Sequence, residues 1–100
     1  MSVFAVSFRL GDRSNYTEVW TSVVSAIRSQ ASGPVWEETS SFFIFESSKT
    51  ASEISHAVYI GSLFTDTQDI MVVTNLSVKA HASRGALAQS SKLEGLMSRR

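Results

Sequence analysis

Along this chain the spacing of apolar residues switches between two periods, and the order of the switches is the strongest limit on its fold. The first run alternates: Phe4, Val6, Phe8 and Leu10 share one face of a strand over Ser2–Leu10, and Val3, Ala5, Ser7 and Arg9 share the other. Then Tyr16, Val19, Trp20, Val23, Val24 and Ile27 recur at the spacing of an amphipathic helix. Asn15 and Glu18 are placed to cap its start, and Gly33-Pro34 ends it, with Gly33 free to take a left-handed turn. A short strand over Pro34–Glu38 and a longer one over Ser41–Glu46 follow. Thr50 and Glu53 then form a capping box for a second helix over Ala51–Ser62, with Ala51, Ile54, Ala57, Val58 and Gly61 turned inward. A fourth strand occupies Asp69–Thr74, and the spacing of Val78, Ala80 and Ala82 allows a fifth over Ser77–Ala82. These elements make one domain over residues 1–82, with a tail over 83–100. In the tail, Leu93, Leu96 and Met97 fit a short helix or an arm exchanged with a second copy.

Two strand–helix–strand units in series give an α+β, ferredoxin-like βαββαβ architecture, with both helices on one face of an antiparallel sheet. In a monomer of that shape the other face meets water. Yet Phe42-Phe43-Ile44-Phe45 and Ile70-Met71-Val72-Val73 are apolar on both sides. Leaving half of them wet forgoes several kcal/mol of burial, at roughly 25 cal/mol per Å2. The expectation is a covered face, most simply a twofold homodimer with Phe43, Phe45, Met71 and Val73 at the interface. The competing cover is the chain's own tail folded back.

At 100 residues with zero formal net charge, the chain holds one core and no strong electrostatic attraction for nucleic acid. The charge is uneven. Six acids and Lys49 lie between Val35 and Asp69, whereas five bases and Glu94 lie from Val78 onward. No apolar run is long enough to span a membrane, and the N-terminus does not read as a signal peptide. The absence of cysteine removes thiolate sites and disulfides, in keeping with a cytoplasmic setting.

Several segments together resemble a known family. They are Val6-Ser7-Phe8-Arg9-Leu10, Trp36 ahead of the Thr39-Ser40-Ser41 turn, Ala51-Ser52-Glu53-Ile54, Asp69 before the fourth strand, and Ala82-Ser83-Arg84-Gly85. In order and spacing the chain is similar to small ferredoxin-fold proteins related to the CRISPR-associated second Cas protein, and in particular to the stand-alone, SinR-like branch. The resemblance implies a homodimer, sheet facing sheet. It also implies metal-dependent phosphodiester cleavage from an aspartate near the end of the first strand, brought close to its twofold copy. Here the matching position is Arg9, and a guanidinium repels Mg2+ rather than ligating it.

The expected function is therefore a non-catalytic homodimeric adaptor, without cofactor, that binds a macromolecular partner, protein or nucleic acid. Arg9, Arg13 and Arg84 are the candidate contacts to phosphate or to an acidic partner. A nuclease or toxin is the alternative, with Asp12 holding Mg2+ if the loop after the first strand curls back. A small-molecule-sensing dimer is a third. The rest of the sequence adds little chemistry. His56 and His81 stand alone, Glu37 and Glu38 point to opposite faces of a strand, and there is neither a nucleophile elbow nor a glycine-rich phosphate loop. Trp36 and the phenylalanines could stack bases, but they lack the basic and glycine residues of an RNA-recognition strand.

Overall fold

The computed structural model describes residues 1–100. Five strands, β1 (Ser2–Arg9), β2 (Val35–Trp36), β3 (Phe42–Ser47), β4 (Ile70–Asn75) and β5 (Ala80–Gly85), form one antiparallel sheet in the order β2-β3-β1-β4-β5. Three helices complete this α+β domain: α1 (Tyr16–Arg28), α2 (Ala51–Ile60) and α3 (Ser90–Met97).

Strand parity sorts the apolar residues. Register pairs Val6 with Phe43 on one side and Val73 on the other, so these three side chains share one face. Phe4, Phe8, Phe45 and Met71 join them, and α1 and α2 cover this face with Val19, Val23, Val24, Ile27, Ile54 and Val58. The Phe8 and Phe43 rings stack with centroids 5.9 Å apart. The expectation that Phe43, Phe45, Met71 and Val73 form an interface is therefore corrected: all four are buried inside the chain's own core. Runs apolar on both faces carry no alternation from which to choose a side. Pairing with β1 makes the choice.

Local chemistry explains where the elements begin and end. Thr50 Oγ1 accepts from the Glu53 N–H at 3.1 Å and Glu53 Oε1 accepts from the Thr50 N–H at 2.8 Å, which is the expected capping box. Asn15 makes no such bond; a Tyr16 N–H to Arg13 carbonyl turn opens α1 instead. Gly33 does not take a left-handed conformation, and the end of α1 is closed by Gln30, whose Nε2 donates to the Ala26 carbonyl at 3.0 Å. β5 starts three residues later than the alternation suggested. Asn75 Oδ1 accepts from the Ser77 and Val78 N–H groups, at 2.8 and 3.0 Å, and holds that stretch as a turn. β5 then runs to Gly85, past the expected boundary at residue 82, and the tail forms α3.

Phe42 and Phe43 are adjacent but 37% and 1% exposed. Phe43→Ala is expected to cost roughly 3–5 kcal/mol in chemical denaturation, and Phe42→Ala less than about 1 kcal/mol. Equal costs would mean that the strand faces are assigned the wrong way round.

Candidate functional site

The second sheet face is built from the alternate residues. Val3, Ala5, Ser7 and Arg9 come from β1, Phe42, Ile44 and Glu46 from β3, Ile70, Val72 and Thr74 from β4, and Trp36 from β2. α3 folds back over one half of it. Leu93 and Leu96 stand against Ile70 and Val72, and Glu94 meets His81 of β5 at 2.9 Å. The tail thus covers its own sheet, but only above β4 and β5. The half formed by β2, β3 and β1 is bare, leaving Val3 37% and Trp36 43% exposed beside Phe42 and half-buried Ile44. The Trp36 and Phe42 rings meet edge to face at 6.2 Å, and the indole N–H donates to Glu38 at 3.0 Å. The face is stepped, with an α3 ridge next to an apolar shelf.

Arg9 lies at the end of β1 on this face. It is exposed and takes part in no ion pair or side-chain hydrogen bond. It separates two concavities. One of about 390 Å3 is lined by Phe8, Tyr16, Trp20 and Ser40, and one of about 460 Å3 lies beneath α3.

The other expected contacts do not gather around Arg9. Arg13 grips Asp69 with both guanidinium nitrogens, at 2.7 and 2.8 Å, and is spent as an anion-binding group. Arg84 lies on the opposite, helix-covered face. Its guanidinium sits 4.2 Å from the centre of the Tyr59 ring and 3.6 Å from Asp66. Its Nε is buried without a hydrogen-bond partner. Asp12 is exposed and makes no side-chain hydrogen bond or ion pair. No three His, Cys, Asp or Glu side chains of the chain converge on a common point. His56 is exposed on α2, and His81 is taken up by Glu94 and by Arg100, whose Nη2 is 3.3 Å from Nδ1.

Asp69 is the residue whose role the sequence did not disclose. Its side chain is wholly buried. It accepts from the Gly11 N–H at 2.9 Å, from Arg13 twice, from the Thr65 N–H at 2.8 Å and from the Thr65 hydroxyl at 3.3 Å. Its own carbonyl accepts from the Ala86 N–H at 2.9 Å. Gly85 passes so close to that carbonyl, with φ +104°, that a Cβ there would overlap it. The only hint in the sequence is an aspartate just ahead of an apolar strand with a threonine four residues before it.

Burial pushes the Asp69 carboxyl up, but the Arg13 guanidinium and the N–H groups of Thr65 and Gly11 outweigh it and hold the pKa below the ordinary value. The hydrogen bond to Asp69 in turn raises Arg13. A carboxyl depressed by folding contributes its full stability above its unfolded pKa and loses it as pH falls through the folded pKa. Asp69→Ala strands a largely buried cation and is expected to cost roughly 3–5 kcal/mol at neutral pH. The difference from wild type should shrink in acid; a gap independent of pH in urea melts would contradict this account.

Comparison with protein-family models, with curated proteins and with solved structures gives no match for this chain. Its functional reading therefore rests on the geometry above.

Proposed function

We propose that this chain is a non-catalytic binding module of ferredoxin-like fold that pairs with a second copy through its stepped sheet face and engages a macromolecular partner as a dimer. The strand order β2-β3-β1-β4 with α1 and α2 on one face is compatible with that fold, and β5 extends it by one strand. The observation that carries the reading is the bare apolar shelf of Val3, Trp36, Phe42 and Ile44 beside the α3 ridge.

Area decides how two copies would meet. Three strands about 4.8 Å apart and about 20 Å long offer roughly 300 Å2, well short of the roughly 800 Å2 per partner that a stable interface buries. The shelf alone is too small. A twofold axis parallel to β1 brings the shelf of each copy under the ridge of the other, so that Leu96, 63% exposed on α3, gains apolar cover. The ridge and shelf then complement each other, and the unpaired cation of Arg99 on the ridge remains for an acidic partner. With zero net charge and with Glu38 and Glu46 beside the shelf, protein suits this surface better than nucleic acid.

Sedimentation equilibrium is expected to give a dimer for the wild type and a monomer for Ile44→Asp, with unchanged far-UV circular dichroism because Ile44 lies outside the core. A wild-type monomer over the whole accessible concentration range would end this reading.

A further inference from the structure

The cleft beneath α3 has a composition that neither core packing nor the pairing of copies explains. Its volume is about 460 Å3, within the range of sites for small organic ligands. Its walls are apolar: Ile70 and Val72 from β4, Leu87 from the loop after β5, and Leu93 and Leu96 from α3. Two cations, Arg9 and Lys92, stand at it from opposite sides, one from the sheet and one from the helix. No acidic residue lines it. The nearest acid on α3, Glu94, is engaged by His81. Neither Arg9 nor Lys92 has an ion-pair partner, whereas Arg13, Arg28 and Arg84 each face a carboxylate.

We propose that this cleft binds a small amphipathic anion, a single hydrocarbon tail ending in a carboxylate or phosphate. The tail lies between β4 and α3 and replaces water on Ile70, Val72 and Leu93, while the head group bridges Arg9 and Lys92. The guanidinium supplies a planar, two-pronged donor for an oxyanion and the ammonium a point charge, so both head groups fit. At the roughly 30 Å3 that a water-sized group occupies, the volume admits about 15 non-hydrogen atoms. Binding also ties α3 to the sheet. The helix has no fully buried residue of its own, so a ligand bridging Arg9 and Lys92 would add the contact that it lacks. The site lies within one subunit and does not rest on the proposed pairing.

The test is a calorimetric titration of the full chain with sodium decanoate (about 12 non-hydrogen atoms) and with decyl phosphate, below the concentration at which either forms micelles. Decanol and decylammonium serve as controls, and methyl NMR locates the binding. The expected result is saturable binding of at least one anion, with shifts at Ile70, Val72 and Leu93. Decanol should bind about tenfold more weakly or worse, and the Arg9→Gln/Lys92→Gln double variant should lose at least about tenfold in affinity for the anion. Both substituted side chains are exposed, so the variant is expected to fold, as circular dichroism will check. Preference for decanoate or for decyl phosphate identifies the head group, and either supports the proposal. Equal binding of decanol or decylammonium, undiminished binding to the double variant, shifts confined to other residues, or no binding of either anion would overturn it.

Discussion

Everything at one end of this sheet hangs on a single buried carboxylate. Removing the Asp69 charge from water is costly, and it is tolerated because donors from two separate loops converge on both of its oxygens. Gly11 and Arg13 fix the chain leaving β1, and Thr65 fixes the chain entering β4. Ala86, bonded to the Asp69 carbonyl, fixes the chain leaving β5. Gly85 has to be glycine for that last approach. The cluster thereby sets two directions that matter for binding. It holds the end of β1 where Arg9 projects onto the open face, and it aims the chain after β5 so that α3 returns across that face. It also divides the arginines: Arg13, four residues beyond Arg9, is consumed by structure, and Arg9 is left unpaired on the open face.

The two sheet faces then follow different rules. Under α1 and α2 the packing is continuous, with stacked and tilted phenylalanines from β1 and β3. On the other face the cover is partial. α3 contributes no fully buried side chain and is held by half-buried Leu93 and Met97 and by the contact between His81 and Glu94. Such an element is the natural first part of the structure to open, because few contacts are lost when it does. The shelf is left bare, and the cleft under α3 holds two unpaired charges in an apolar setting.

Much of the architecture could be read directly from residue spacing. The stripe of Val19, Val23, Val24 and Ile27 fixes the helix and its buried side, and Thr50 with Glu53 marks the start of α2 in both sequence and structure. The misreadings have identifiable causes. Asn15 has the right side chain for a cap, but a backbone turn from Arg13 opens α1 instead. Val78 continues the alternation of β5, but Asn75 captures its N–H and holds it in a turn. Arg9, Arg13 and Arg84 look equivalent in the sequence; in space Arg13 and Arg84 each face a carboxylate and Arg9 does not.

What the sequence determined by itself is what acts over a few residues: the order of strands and helices, the inward stripe of α1, the capping box of α2, the neutral charge and the want of cysteine. Periodicity and capping are local, so they are written locally. Only the tertiary structure decided which side of β3 and β4 is core, because an unbroken apolar run has no preferred side until its register with β1 chooses one. Only it could bring Arg13 to Asp69, 56 residues away, and fold α3 over half of a face instead of all or none of it. Those outcomes depend on which donors and surfaces meet in space, and separation along the chain carries no record of that.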